Sequence, residues 1–202
     1  VKNNEIIAEI KGSASEILSK ERVLLNLIQR TCGIASKTNI YARIAEPYKV
    51  KILDTRKTTP GLRSLEKYAT QVGGAKNHRF SQLDAFMIKD NHKSFFGGIP
   101  GALEYFKSMN SFYNPIILEV HNKDEFIEAG ELGVKHIMLD NFSPAEIKNI
   151  IQYKKENQTI EVSGGITLKT ISDYKIDGVD AISVGSITYN APAKDLSLKY
   201  GK

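Results

Sequence analysis

From residue 50 onward, short apolar stretches alternate with amphipathic ones along the chain. Six stretches have the length and composition of buried strands, at 50–53, 85–88, 116–120, 135–139, 159–162 and 181–184. Stretches with helical periodicity separate them, at 60–72, 100–109, 123–132, 144–156 and 167–175. This alternation predicts parallel β-α units, arranged either as an incomplete α/β barrel or as an open doubly wound sheet.

The stretch between the first two strands carries the end signals of a helix. Thr59 suits the N-cap, Pro60 the first helical position and Gly73 the position after the last. The apolar side chains that repeat there at helical spacing are Leu62, Leu65, Ala69 and Val72. We therefore expect a helix that turns these four side chains toward the sheet.

The chain before residue 50 has a different pattern. Residues 5–10 alternate loosely and predict a strand. Ser13 opens a capping-box pattern that predicts a helix over about 14–30, and Gly33 can end that helix. A second helix is expected over 34–45. The apolar face of the first helix comprises Ile17, Leu18, Leu24, Leu25 and Ile28.

Each predicted strand ends in polar or glycine-rich residues. In chain order these are Asp54, Arg56, Lys57, Lys89, Asp90, Glu119, Asp140, Ser163, Gly164, Gly165, Gly185 and Ser186. The carboxyl ends of parallel strands meet at one edge of a sheet, which is where α/β proteins hold their sites. The sequence therefore predicts a functional site at this edge.

The last two strand ends have the features of phosphate-binding turns. Ser163-Gly164-Gly165 and Val184-Gly185-Ser186 place glycines where backbone N–H groups can approach an anion closely. Ordinary tight turns would explain either motif alone, but two at adjacent strand ends favour phosphate binding. The sequence contains neither a Walker loop nor a GxGxxG motif, so it gives no support for a nucleoside triphosphate or a dinucleotide.

Two carboxylates and the histidines bear on metal binding. Glu119 and Asp140 suit ribose hydroxyls or a Mg²⁺ ion, which prefers a few carboxylates together with substrate oxygens. The four histidines lack zinc-ligand spacing, and His121 and His136 are expected to be structural or exposed. The single cysteine, Cys32, allows no internal disulfide, and a reducing cytoplasm is the default expectation.

The charge distribution favours a small anionic ligand. The 202 residues carry a formal net charge of +5, but no run of basic residues or stacking motif predicts nucleic-acid binding. No apolar run approaches the roughly 20 residues of a membrane span. The cations lie singly or in pairs at strand ends, and the candidates are Arg56, Lys57, His78, Arg79 and Lys89.

Several motifs together resemble the quinolinate phosphoribosyltransferases, the decarboxylating nicotinate-nucleotide pyrophosphorylases. The specific block comprises DTRKTTPGLRSLEKYA at 54–69, GGAKNHR at 73–79 and MIKDNH at 87–92. Further matches are ERVLLN, CGIAS, LEV at 118–120, MLDNF at 138–142, EVSGGIT at 161–167 and AISVGS at 181–186. The resemblance covers nearly the whole chain.

The resemblance implies an α/β barrel with fewer than the usual eight units. Residues 1–32 would be the last strand and helix of a small α+β N-terminal domain, most of which this chain would lack. Residues 33–190 would form the barrel, and 191–202 a C-terminal tail.

The resemblance also implies a reaction. Quinolinate would attack C1 of 5-phosphoribosyl diphosphate and then lose a carboxylate, giving nicotinate mononucleotide, pyrophosphate and CO₂ with Mg²⁺ as cofactor. The implied catalytic residues are Lys57, Lys89, Glu119 and Asp140, the last two also as tentative Mg²⁺ ligands. The implied substrate-binding residues are Arg22, Thr55, Arg56, His78, Arg79, Ser163, Gly164, Gly165, Val184, Gly185 and Ser186.

The role of Arg22 and the function of the chain each have alternative interpretations. By sequence alone, Arg22 is a solvated charge; the resemblance instead places it in the neighbouring subunit's active site, which implies a homodimer or larger assembly with shared sites. A sister branch of the family, associated with molybdenum transport, is the alternative substrate class. A non-catalytic anion-binding or interaction protein is the alternative from a different class.

Overall fold

A parallel sheet of six strands forms the centre of the molecule within residues 5–200, the part of the chain described by the computed structural model. The strands are β1 (Lys51–Leu53), β2 (Phe86–Ile88), β3 (Ile116–Val120), β4 (His136–Asp140), β5 (Thr159–Ser163) and β6 (Ala181–Ser183). Their spatial order is β1-β6-β5-β4-β3-β2, and all neighbours run parallel. From β2 to β6 the strands lie in chain order without a reversal and β1 lies beside β6, which is the winding of a barrel; because β1 and β2 are not paired, the barrel is incomplete. All six predicted strands are confirmed.

Helices connect the strands. They are α1 (Ala14–Ala45), α2 (Arg63–Val72), α3 (Asp90–Phe95), α4 (Ile99–Met109), α5 (Lys123–Glu131), α6 (Pro144–Ile150) and α7 (Ser186–Tyr189). Three 3₁₀ segments add to them at Glu46–Tyr48, Ile151–Tyr153 and Ile171–Tyr174. Across the described residues, no helix is both long enough and apolar enough to cross a bilayer.

The central strands are buried on both faces. On one face Leu118, Leu139 and Val162 are 0% exposed, and on the other Glu119, Met138 and Glu161 are 6%, 5% and 8% exposed. Helices on the outer face and side chains in the interior cover such strands, which explains their near-continuous apolar sequence. This burial fixes the strands and leaves their polar carboxyl ends at one edge.

The region before β1 differs from the prediction. One continuous helix, α1, replaces the two expected helices, and residues 5–10 are not a strand. Gly33 lies inside α1, where an added Cβ would be 2.0 Å from the backbone oxygen of Pro192. This glycine therefore allows close packing of the C-terminal segment and does not end the helix. The predicted domain boundary after residue 32 falls within α1.

The inner face of α2 also differs from the predicted apolar stripe. The helix begins at Arg63, and its buried residues are Glu66, Lys67, Ala69 and Thr70. Val72 is 61% exposed. Thr59 does not cap the helix, because its hydroxyl donates to Glu66 Oε1 at 2.7 Å. Gly73 ends α2 as expected, although Gly74 is the residue with the left-handed φ of +97°.

The later helices are shorter than predicted. The 144–156 stretch splits into α6 and the 3₁₀ segment Ile151–Tyr153, and the 167–175 stretch contains only the 3₁₀ segment Ile171–Tyr174. The short helices α3 and α7 were not predicted. Each begins at a polar strand end, so both contribute to the edge where a site was expected.

Candidate active site

A cavity of about 1120 Å³ opens at the carboxyl edge of the sheet. Residues from the ends of all six strands contribute to its walls. The predicted site residues that line it are Thr55, Arg56, Lys57, His78, Arg79, Lys89, Glu119, Asp140, Ser163, Gly164, Gly165, Val184, Gly185 and Ser186. The fold therefore brings together every predicted site residue except Arg22.

A buried ion pair anchors the floor near β1. Asp54 and Lys67 are 0% and 1% exposed and form a direct salt bridge. Asp54 also accepts hydrogen bonds from Thr70 Oγ1 at 2.9 Å, Asn77 Nδ2 at 2.6 Å and the His78 backbone N at 2.8 Å. Because buried charges need partners, this network fixes the loop after β1 against the segment that carries His78 and Arg79.

A second buried carboxylate ties α2 to α1 and α7. Glu66 is fully buried and accepts from Arg30 Nε and Nη2, both at 3.0 Å, and from the Thr59 backbone N at 3.1 Å. Arg30 Nη2 also donates to the Thr188 carbonyl at 2.7 Å, and the Thr188 hydroxyl donates to the Lys57 carbonyl at 2.7 Å. The loop after β1 and the turn after β6 are thus held as one unit.

His78 is held by hydrogen bonds at both ring nitrogens. Its Nδ1 accepts from the Arg79 backbone N at 2.7 Å, so this nitrogen carries no proton. Its Nε2 therefore carries the proton and donates to Glu161 Oε2 at 3.2 Å. Glu161 is buried and also accepts from the Ser183 hydroxyl. Both ring nitrogens of His78 thus have partners within the protein, whereas the other four predicted cations, Arg56, Lys57, Arg79 and Lys89, carry ammonium or guanidinium groups.

Arg79 is a half-buried guanidinium on the cavity wall. Its Nη1 donates to the Ala85 carbonyl at 3.1 Å, which orients the planar group. Burial lowers the pKa of Arg79 and the nearby charge of Arg56 lowers it further, while Glu119 and Glu161 act in the opposite direction. Because the charge of Arg56 acts on Arg79, an anion beside these two guanidinium groups would be stabilised.

Lys89 and Glu119 form an ion pair across the ends of β2 and β3. The Lys89 side chain is 45% exposed, whereas the Glu119 side chain is 8% exposed. The Lys89 backbone N donates to His92 Nδ1 at 3.0 Å, which fits the expectation that His92 helps to orient this strand end. The ammonium can therefore exchange partners while its backbone stays fixed.

Geometry requires glycine at Gly164 and leaves little room beside Gly185. Gly164 has a left-handed φ of +104°, and an added Cβ would be 2.2 Å from Asn141 Oδ1. An added Cβ at Gly185 would be 3.1 Å from Tyr189 Cε1 and 3.2 Å from Lys57 Cδ. Both turns therefore bring backbone close to neighbouring groups that line the cavity.

Three carboxylates surround His121, and two of them, Glu119 and Asp140, line the cavity. His121 Nε2 lies 2.6 Å from Asp90 Oδ1 and 3.6 Å from Glu119 Oε1, and Nδ1 lies 3.9 Å from Asp140 Oδ2. Burial is the largest influence on the pKa of Asp90 and would raise it. The hydrogen bond and charge of Lys93, together with the charge of His121, outweigh burial and hold that pKa below its ordinary value.

Several residues at the site were missed by the sequence interpretation. Lys37 on α1 lines the cavity and donates from Nζ to the Asn190 carbonyl at 2.8 Å, and burial lowers its pKa. Asn141 and Lys169 also line the cavity. Asn141 and Lys169 follow strand ends and could have been found by that signal, whereas no sequence signal links Lys37 to the barrel mouth.

Arg22 lies apart from the cavity. It is exposed on α1 and does not line the walls formed by the same chain. The structure of this chain therefore gives Arg22 no role in its own site.

Comparison with known proteins identifies the family. The model of the quinolinate phosphoribosyl transferase C-terminal domain matches residues 34–199. The chain belongs to this family. A relative named probable nicotinate-nucleotide pyrophosphorylase [carboxylating], from Bacillus subtilis, is 42% identical over 194 residues, covering 96% of this chain and 67% of the relative. The Homo sapiens nicotinate-nucleotide pyrophosphorylase [carboxylating] is 36% identical over 198 residues, covering 96% of this chain and 67% of its own length.

Solved structures of quinolinate phosphoribosyl transferase relatives share the fold. NadC from Streptococcus pyogenes has a TM-score of 0.88 and 41% identity, covering 94% of this chain and 66% of that chain. The pyrophosphorylase from Francisella tularensis has a TM-score of 0.86 and 41% identity, covering 91% of this chain and 65% of that one. The chain thus spans about two thirds of the length of these relatives. Family membership confirms the interpretation of the motif block between residues 54 and 92.

Proposed function

We propose that this chain transfers a phosphoribosyl group from 5-phosphoribosyl diphosphate to quinolinate, with decarboxylation, as a step of NAD biosynthesis. The products are nicotinate mononucleotide, pyrophosphate and CO₂. The main support is one cavity that combines six lysine and arginine side chains, two carboxylates and two glycine turns. This composition matches two highly anionic substrates and a transition state that gains positive charge at the sugar.

The acceptor end of the cavity is formed by Arg56, His78 and Arg79. Quinolinate carries two carboxylates on a planar ring, and guanidinium groups bind carboxylates through paired, coplanar hydrogen bonds. Arg79 is half-buried and held by the Ala85 carbonyl, so little side-chain freedom is lost on binding. We assign the two arginines to the carboxylates and His78 to positioning the Arg79 backbone.

The donor end is formed by the glycine turns and the lysines. The backbone N–H groups of the Ser163–Gly165 and Gly185–Ser186 turns suit the 5′-phosphate of the sugar. Lys57 and Lys89 suit the pyrophosphate that departs. Glu119 and Asp140 supply carboxylate oxygens of the kind that Mg²⁺ prefers, so these residues would hold the ion. A bound Mg²⁺ would neutralise charge on the pyrophosphate.

The reaction proceeds by displacement at the anomeric carbon. The ring nitrogen of quinolinate forms a bond to C1 while the bond from C1 to the pyrophosphate oxygen breaks. The carboxylates of Glu119 and Asp140 stabilise the positive charge that develops on the ribose. In the second step the bond between the ring and the 2-carboxylate breaks, and its electron pair remains on the ring carbon beside the cationic nitrogen. Protonation of that carbon completes the product.

A direct assay tests this function. The chain is incubated with quinolinate, 5-phosphoribosyl diphosphate and Mg²⁺, and pyrophosphate and nicotinate mononucleotide are measured together. We expect equal amounts of both products. Binding of quinolinate by calorimetry without turnover would instead support a non-catalytic anion-binding protein.

We propose further that two copies of the chain form a homodimer with shared sites. Exposed apolar side chains on and before α1 support this, including Leu18 at 57%, Val23 at 65% and Ile6 at 79% exposure. A surface of this kind is more stable when covered by another protein surface. Arg22 lies on the same helix, which would bring it to the partner's cavity.

The first prediction concerns Arg79. Arg79→Ala should weaken quinolinate binding by about 1.5–3 kcal/mol, because a charge-assisted hydrogen-bonding partner is lost. Arg79→Lys should recover only part of this, since an ammonium lacks the planar fork. Calorimetric titration with quinolinate measures both variants. Full recovery by lysine would show that Arg79 acts as a point charge and not as a carboxylate clamp.

The second prediction concerns Gly164. Gly164→Val should weaken the binding of 5-phosphoribosyl diphosphate by on the order of 1–3 kcal/mol. The new side chain would collide with Asn141, and a valine is strained in the left-handed backbone conformation of this position. Quinolinate binding should change much less. Separate titrations with each ligand compare the two effects, and Gly133→Val serves as a control with a left-handed φ of +71° and open space around it. Equal weakening of both ligands would contradict the phosphate assignment.

A further inference from the structure

One buried carboxylate in the barrel interior takes no part in the proposed reaction. Glu161 lies in the middle of β5 and is 8% exposed. Its register partner on β4, Met138, lines the cavity from the same face of the sheet, as does Glu119 on β3. Glu161 itself is not one of the residues that line the cavity, so it does not face a substrate bound there.

The Glu161 carboxylate has two hydrogen-bonding partners among the described residues. His78 Nε2 lies 3.2 Å from Oε2, and the Ser183 hydroxyl donates to Oε1. Within residues 5–200, no lysine or arginine nitrogen lies within 4.0 Å of this carboxylate. A buried carboxylate is costly unless hydrogen bonds or charges stabilise it, so Glu161 depends on the imidazole of His78.

The imidazole of His78 connects this carboxylate to the wall of the cavity. While Nε2 faces Glu161, Nδ1 accepts from the Arg79 backbone N at 2.7 Å. The ring is rigid, so a hydrogen bond at one nitrogen fixes the direction of the other and the tautomer of the ring. The Glu161 carboxylate is thus linked, through one side chain, to the backbone of the residue that carries the half-buried guanidinium.

Glu161 also acts on Arg79 through its charge. Its negative charge raises the pKa of Arg79, in opposition to burial and to the charge of Arg56. The two effects of Glu161 have opposite consequences for an anion bound at Arg79. Removing the negative charge alone would strengthen anion binding, because a repulsion is lost. Removing the hydrogen bond would weaken anion binding, because the His78 ring and the Arg79 backbone lose their fixed positions.

We propose that Glu161 is a positioning residue, which orients the His78 imidazole and, through this ring, the backbone of Arg79. The consequence for quinolinate rests on the proposed function, whereas the orientation of the ring does not. Glu161→Gln keeps an acceptor oxygen at the same side-chain length and removes the charge, and Glu161→Met removes both. Glu104→Met, which replaces an exposed glutamate on α4, is the matched control.

Nitrogen-15 NMR of the histidine side chains tests the orientation of the ring without any substrate. The chain has four histidines, and the signals lost in His78→Gln identify His78. The unaltered chain, Glu161→Gln and Glu104→Met should show one His78 tautomer, with the proton on Nε2. Glu161→Met should shift these signals or broaden them by tautomer exchange. Glu161→Asp, which is one methylene shorter, should show part of this change and replaces Glu161→Met if that variant does not fold. Unchanged His78 signals in either folded variant overturn the proposal.

Calorimetric titration with quinolinate measures the consequence at Arg79. Glu161→Met should weaken quinolinate binding by on the order of tenfold, because a hydrogen bond that fixes the site is lost. Glu161→Gln should bind quinolinate at least as tightly as the unaltered chain, since it keeps the acceptor and removes a repelling charge. In the assay, Glu161→Met should raise KM for quinolinate more than KM for 5-phosphoribosyl diphosphate. Equal weakening by Glu161→Gln and Glu161→Met would overturn the proposal. If the unaltered chain does not bind quinolinate, the proposed function fails, and the NMR result still decides the role of Glu161.

Discussion

Lys67→Met should lower the free energy of unfolding by about 3–5 kcal/mol, because it leaves the carboxylate of Asp54 buried without a counter-charge. Lys67 and Asp54 are 1% and 0% exposed, so water cannot replace the lost ammonium. The ammonium also donates to the His78 carbonyl at 3.0 Å, and this support is lost as well. Urea unfolding followed by circular dichroism measures the change.

Two controls separate charge burial from the loss of a long side chain. Lys135→Met replaces an exposed lysine and should change stability by no more than about 0.5 kcal/mol. The double variant Lys67→Met/Asp54→Asn should be more stable than Lys67→Met alone, because the unpaired charge is removed. If the free energy of unfolding of Lys67→Met equals that of Lys135→Met, the buried pair does not stabilise the floor of the site.

This ion pair also shows where sequence interpretation fails. The pattern Leu62, Leu65, Ala69 and Val72 predicted an apolar inner face for α2, but the helix buries Glu66, Lys67 and Thr70 instead. Polar residues are usually exposed, so periodicity assigns them to the solvent side. Their burial depends on partners distant in sequence, such as Arg30 for Glu66, 36 residues away. Nothing local in the sequence indicates that pairing.

The strands, and the edge of the sheet that carries the site, could be predicted because both follow from residues adjacent in sequence. Strands covered on both faces must be apolar, as in Ile137-Met138-Leu139, and the residue where burial ends must be polar. Parallel strands then bring those ends to one edge without further information. The same reasoning could not find Lys37, because it reaches the cavity from α1, which precedes the sheet in the chain.

The histidines also show that contacts between residues distant in sequence cannot be predicted from spacing. The zinc spacing rule gave no reason to expect His121 beside carboxylates of other strands, because that rule concerns ligands close together in sequence. In the structure, Asp90 reaches His121 from the end of a neighbouring strand. His78 was grouped with the candidate cations, and the structure adds that its Nδ1 accepts a hydrogen bond from the backbone N–H of Arg79. Which groups meet each ring nitrogen depends on the folded backbone, which the sequence does not specify.

The shared-site proposal leads to the largest expected change in activity. Arg22→Ala and Lys89→Ala chains should each be inactive alone, because every site in either homodimer carries one lesion. After subunit exchange at equal amounts, half of the dimers should be mixed, and each mixed dimer should contain one intact site. About a quarter of all sites, and hence about a quarter of the original activity, should return.

The recovery follows from the position of each residue. Lys89 lies in the cavity of its own chain, whereas Arg22 is exposed on α1 outside that cavity. In a mixed dimer, the barrel that keeps Lys89 receives Arg22 from the other chain, and the second site lacks both. Exchange is verified with differently tagged chains, and a mixture of Lys57→Ala with Lys89→Ala provides the control. Both of those lesions lie in the barrel, so this mixture should stay inactive. Exchange without recovery in the first mixture would mean that Arg22 does not act in the partner's site.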